Sequence, residues 1–173
     1  MKLILCGSWL VLAVGLVGCA SNSPETKNKD TAQKGEEEIK EAFVSLQDAI
    51  KAKDANKIWH LLDKDSQADA DREAKIVKET YTKLPEMEKA GLEKKLELTA
   101  KDLADMSGKD YVKSKRFYGK HHEIPGSKVE KITVAGASAT LAFIEEDGDK
   151  ITTKLARENG LWKFNLEIPK SLE

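Results

Sequence analysis

Residues 150–168 read KITTKLARENGLWKFNLEI, and the reading of this stretch decides the fold. Ile151, Thr153 and Leu155 alternate with Thr152, Lys154 and Ala156, a period of two up to Arg157. Alternation resumes at Leu161, with Trp162, Phe164, Leu166 and Ile168 on one face. Between the runs stands Asn159-Gly160, the pair that a two-residue hairpin turn favours, because both its central residues need positive φ. Two antiparallel strands are therefore expected, and Pro169 ends the second.

Working upstream, Ala137 to Glu146 reads as a longer strand. Leu141 and Phe143 lie on one face and Ala142 and Ile144 on the other, which suits a central position. Asp147-Gly148 is a further turn signal, and Lys128 to Val134 supplies one more strand, with Ile132 and Val134 on one face. Short connections between consecutive strands imply a four-stranded antiparallel meander. The fold class expected is α+β, with N-terminal helices packed on one face of this C-terminal sheet.

The helical signals precede the sheet. Ile39, Ala42, Phe43, Leu46, Ala49 and Ile50 share one helical face from about Glu37. Asp54 reads as the N-cap of a short helix holding Ile58, Trp59, Leu61 and Leu62. A third helix is expected from Asp65 or Ser66, with Ala70, Ala74, Val77, Tyr81 and Leu84 as its stripe. Pro85 stops it and opens the next as its first residue. Thr99-Ala-Lys-Asp102 and Ser107-Gly-Lys-Asp110 are capping boxes, so both acids have structural work.

The N-terminus is of a different kind. Lys2 is followed by an apolar run to Val17, too short to span a bilayer, which takes roughly 20 residues, and suited to a cleaved export signal. The run ends in Leu16-Val17-Gly18-Cys19, which resembles the lipobox of bacterial lipoproteins. The resemblance implies cleavage after Gly18 and lipidation of Cys19, with residues 1–18 lost. It also implies a chain held to the bilayer by its lipid, in the cell envelope. By similarity to enteric lipoproteins, Ala20 after the cysteine, a residue other than Asp, implies the outer membrane, facing the periplasm. Several acyl chains anchor stably, each buried methylene contributing ~0.8 kcal/mol. Residues 19–36 hold no apolar side chain larger than Ala between Cys19 and Glu36, so they read as a flexible tether, with one α+β domain over 37–173.

The order of elements in that domain resembles the cone-shaped α+β superfamily of nuclear-transport-factor-like, SnoaL-like and ketosteroid-isomerase-like proteins. The resemblance rests on the first helix ending in Ala49-Ile50-Lys51-Ala52-Lys53-Asp54, the short helix with Trp59, and the closing hairpin at Asn159-Gly160-Leu161-Trp162-Lys163. It implies a conical pocket between helices and sheet. The helical region over about 65–118 is larger than such domains carry.

Composition narrows the function classes. Of 173 residues, 34% are charged, yet the formal net charge is only −1, which gives no electrostatic footprint for nucleic acid. The two cysteines are Cys6 and Cys19, so a processed body has no thiol for a disulfide, a metal site or a nucleophile. No phosphate-binding glycine loop and no serine elbow occur. His121-His122-Glu123 lacks a second ligand group at recognisable spacing, and Asp63, Asp65, Asp69 and Asp71 lack the glycine and closing glutamate of a calcium loop. No metal and no cofactor is expected.

The function expected is a non-catalytic module that binds a small apolar ligand or an envelope protein, with a homodimer as a further arrangement. His60, Trp59 and Trp162 are the ligand-binding candidates. The alternative is an isomerase- or dehydratase-like enzyme using a pocket His or Asp.

Overall fold

The computed structural model describes residues 24–171, with side chains from Gln33 onward. The expected export signal over residues 1–18, its cleavage site at Gly18 and the expected lipidation site Cys19 lie outside the described residues. Helix α1 (Pro24–Lys51) is followed by α2 (Ala55–Leu61), α3 (Lys64–Lys83), α4 (Glu86–Leu96), α5 (Ala100–Ala104), α6 (Gly108–Tyr111) and α7 (Lys115–Lys120). A single 3₁₀ turn (Ile124–Gly126) leads into β1 (Lys128–Ala135), β2 (Ser138–Ile144), β3 (Lys150–Glu158) and β4 (Leu161–Asn165). The strands form one antiparallel sheet in the order β1-β2-β3-β4, the meander expected from the sequence.

The alternation of the hairpin stretch becomes a two-faced sheet. Leu141 pairs with Thr153, and Leu155 with Phe164, so one face collects Leu141, Phe143, Thr153, Leu155, Trp162 and Phe164, all buried. The other face carries Thr133, Thr140, Thr152 and Lys154, all exposed. At the β3–β4 turn Asn159 and Gly160 have φ of 51° and 81°, the two positive angles the dipeptide was read to supply.

α1 lies on the buried face of the sheet. Ile39, Phe43, Leu46 and Ile50 all point inward, and the Phe43 ring sits 5.1 Å from that of Phe143 and 6.2 Å from that of Phe164. Each such side chain contributes about 1.5–3 kcal/mol by leaving water. Gln47 fastens the helix to the start of the sheet, its amide donating to the carbonyls of Ile124 and Ser127 at 2.9 Å each. Lys53 closes α1 in the left-handed region, and the Asp54 N–H donates back to Ala49.

α1 starts at Pro24, not near Glu37, so residues 24–36 of the expected tether are helical. Gly35 is buried, and a Cβ there would stand 3.3 Å from Val134 Cγ1. The lack of large apolar residues misled because propagation is far easier than nucleation. A helix already packed over Ile39–Ile50 extends through Ala, Gln, Glu and Lys, all good helix formers. A smaller shift affects α3, whose N-cap is Asp63, its carboxylate accepting from the Ser66 N–H at 2.8 Å. Pro85 stands at the N-cap of α4 and not at its first position. Asp54 caps α2, and both capping boxes form as read.

The helical region has its own core. Ala70, Ala74, Val77, Tyr81, Leu92, Leu96, Leu103 and Tyr111 are buried together, with Trp59 and Ile168 packed against this cluster and the sheet cluster alike. α6 comes close to α3 at Gly108, where a Cβ would meet the Asp71 backbone nitrogen at 2.7 Å. The Gly108 N–H instead donates to the Asp71 carboxylate. β4 ends at Asn165, short of the expected Ile168, because the chain leaves the sheet to strap the helices. His121 Nε2 donates to the Glu167 carbonyl, the Tyr111 hydroxyl to that of Pro169, and Ser171 N–H and O–H to the Glu73 carboxylate. Among the described residues no helix is long and apolar enough to cross a membrane.

Candidate functional site

The space between helix and sheet, where a conical pocket would lie, is occupied by Phe43, Phe143, Phe164, Leu141 and Leu155, each 2% exposed or less. An open groove of about 720 Å³ lies beside it, between α1, α2 and the β3–β4 hairpin. α1 contributes Glu38, Glu41, Ala42 and Ser45 to one wall. α2 and its cap contribute Asp54, Lys57, His60 and Leu61. Gly160, Leu161, Trp162 and Lys163 close it from the sheet side.

Each wall follows from local sequence. The buried stripe of α1 turns Ile39 and Phe43 to the core, which leaves Glu38, Glu41 and Ala42 on its flank. The two-residue turn sets Leu161 at the hairpin tip, 62% exposed, and the next residue, Trp162, inward at 3%. Arg157 pairs with Trp162 across β3–β4 and reaches α1, its guanidinium 2.9 Å from Glu38 Oε2 and 5.6 Å from the Trp162 ring centre. Trp162 Nε1 is buried without a hydrogen-bond partner. Lys163 Nζ donates to the His60 carbonyl and ties β4 to the end of α2. The groove thus has apolar surface from Ala42, Leu61, Leu161 and Trp162, an acidic side on α1 and a basic side at Lys57 and Lys163.

Two of the three ligand-binding candidates, His60 and Trp162, meet at this groove. Trp59 does not line it. It is half-buried between the two cores, and its carbonyl accepts from the Gln67 amide at 2.8 Å.

The other histidines part company. His121 is buried against the Phe117 ring, and burial pushes its pKa down to about 4, so the neutral ring holds the tail. His122 points outward, and its Nδ1 donates to the Gly119 carbonyl at 2.9 Å. The buried Asp63 is committed to the α3 cap and to the Asn165 amide, 2.8 Å away.

One cluster was not legible in the sequence. Carboxylate oxygens of Glu123, Glu145 and Asp147 lie within 4.8 Å of one another, where the 3₁₀ turn meets the β2–β3 loop. Burial first, then the charges of Glu123, Asp147 and Asp149, raise the Glu145 pKa. Three such oxygens could hold a hard cation. Glu123 was visible only beside two histidines, and its meeting with Glu145 and Asp147 depends on the packing of two loops. Among the groove residues, Glu38, Glu41 and Leu161 carried no signal of a site, and Ala42 read only as part of the apolar stripe of the first helix.

Compared with known proteins, the chain matches no family model, no curated protein and no solved structure.

Proposed function

We propose that the chain is a lipid-anchored protein of the bacterial cell envelope whose body is a non-catalytic binding module, with the α1–α2–β4 groove as its contact surface. The carrying observation is the groove itself, about 720 Å³ of open space with apolar surface and Leu161 left exposed at its lip. A volume of that order accommodates a small apolar ligand or a segment of an envelope protein. The anchor rests on Leu16-Val17-Gly18-Cys19. The buried titratable groups support a binding role over a catalytic one, since His121 and Asp63 both hold the fold together. The isomerase-like alternative, which uses a pocket His or Asp, has His60 and Asp54 at the groove as its candidates.

Native mass spectrometry of the full chain, released gently from detergent, tests the reading. An added mass is expected on the wild type and not on Leu161→Asp, whose stability should be unchanged because Leu161 is mostly in water. An added mass that survives both Leu161→Asp and Ala42→Arg would place the contact elsewhere and overturn the reading. The anchor is tested by Cys19→Ser, which should leave an unprocessed precursor in the aqueous phase of a detergent partition. Normal processing of that variant contradicts it.

A further inference from the structure

We propose that the groove receives a second copy of this chain, the two packing groove to groove about a two-fold axis that runs along α1. This rests on the groove reading above and deepens it by naming the occupant. The contact uses side chains alone. Glu41, Lys57 and Leu161 are exposed, and Ala42, Leu61 and Lys163 are half-buried, so each presents surface at the groove.

The two sides of the groove differ in charge. Glu38 and Glu41 stand on the α1 side, and Lys57 and Lys163 on the α2–β4 side. Glu38 is held by Arg157 and Lys163 by the His60 carbonyl, while the Asp54 carboxylate caps α2 by accepting from the Lys57 N–H. Glu41 and Lys57 have no ion-pair partner among the described residues, so they are the charges open to an occupant. A small apolar ligand uses neither charge, and an occupant of one sign is repelled by one side. A surface with opposite signs on the two sides of an apolar strip is complementary to itself.

The charges also fix the axis. In a face-to-face pair the two-fold axis lies in the plane of contact. An axis across the groove sets the acidic side against itself, which repels. An axis along the groove sets the α1 side of each copy against the α2–β4 side of the other. Glu41 then faces the basic side, and Leu161 at the lip comes against Ala42 of the other copy. The α1 side follows the helix from Glu38 to Ser45, so this axis is parallel to α1. Both α1 helices therefore point the same way. Cys19 lies just before Pro24, where α1 starts, so both expected lipid anchors come to one end of the pair, as a single bilayer requires. The groove is lined by fewer residues than the about 20–30 a side of a standard interface. The pair is therefore weak in free solution, and holding both chains on one membrane raises the effective concentration that forms it.

The processed chain has no thiol besides Cys19, so Met87→Cys, at a side chain 95% exposed on α4, accepts a dye. Lipidated chains carrying donor or acceptor are reconstituted in phosphatidylcholine vesicles at low density, and energy transfer between them is read. The expected result is transfer in the wild type that Leu161→Asp abolishes. Glu41→Lys or Lys57→Glu alone should weaken association by about tenfold, because the two-fold repeats each reversed contact. Mixing Glu41→Lys donors with Lys57→Glu acceptors should restore it, since every reversed charge then faces an opposite one. That recovery also shows that both variants fold. Transfer indifferent to either reversal, or no recovery on mixing, overturns the two-fold pairing. Wild-type transfer that Leu161→Asp leaves unchanged puts the contact on another face and overturns it too. Absence of wild-type transfer also overturns it. The groove reading survives that failure if the mass measurement finds an added mass other than a second chain, lost in Leu161→Asp.

Discussion

The sheet half and the helical half of this protein reach burial by different routes. Under the sheet, three phenylalanine rings from α1, β2 and β4 meet directly, and long-range apolar contact organises the core. Among α3–α6 the buried face includes small residues, Ala70 and Ala74, and three of the helices from α5 to α7 run six residues or fewer. That half is finished by polar ties to a tail that departs from β4, through Tyr111, His121 and Glu73. The difference teaches where the molecule can give. The sheet half is a stiff platform, and the groove stands on it. The helical half is clamped from outside, so its opening should cost less than global unfolding.

The strongest way to break that comparison is a pair of cavities. Phe43→Ala should cost about 3–5 kcal/mol and lower the unfolding midpoint of the whole chain, seen by urea titration of both circular dichroism and tryptophan fluorescence. Leu103→Ala in the helical core should cost about 2–4 kcal/mol and separate the two signals, with helical signal lost first. Coincident curves in Leu103→Ala would mean that the halves unfold as one unit.

Acid probes the clamp next. His121 keeps a neutral ring, its pKa held down to about 4 by burial against an ordinary 6.5. Above pH 6.5 neither folded nor unfolded chain binds this proton, so nothing is lost. As pH falls from 6.5 toward 4 the unfolded chain takes it and the folded chain does not, at about 1.4 kcal/mol per pH unit. His121→Gln retains an amide donor for the Glu167 carbonyl and should flatten that slope in urea midpoints between pH 7 and pH 4.5. Parallel slopes for the two proteins would remove His121 as the cause.

Tyr111→Phe is the gentlest of the four substitutions. It deletes the hydroxyl that donates to the Pro169 carbonyl and should cost about 1–2 kcal/mol. Hydrogen exchange should quicken in residues 166–171 and leave β2 and β3 unchanged, which sharpens the boundary between platform and clamp.

Much of the platform was legible in the sequence because its determinants are local. Period-two alternation, Asn159-Gly160 and the buried stripe from Ile39 to Ile50 each act within a few residues, and so do the caps at Asp54, Thr99 and Ser107. The early start of α1 was hidden because residues 24–36 have helix propensity but no apolar stripe. The groove was hidden for a different reason. Ala42, His60 and Leu161 come together only when α1, α2 and the hairpin pack, and no spacing along the chain announces it. Arg157 marked only the end of an alternating run in the sequence, and its pairing with Trp162 turns it toward Glu38.

The central claim is that this groove, and no other face of the sheet, is where the protein meets its partner. The most direct measurement places a photo-reactive side chain at Leu161 in the full-length chain in living bacteria, and in a second strain at Thr152 on the opposite sheet face. The account predicts an adduct of defined mass from position 161, none from position 152, and loss of the first when Ala42→Arg fills the groove. Adducts from Thr152 alone, or adducts at Leu161 indifferent to Ala42→Arg, would contradict it.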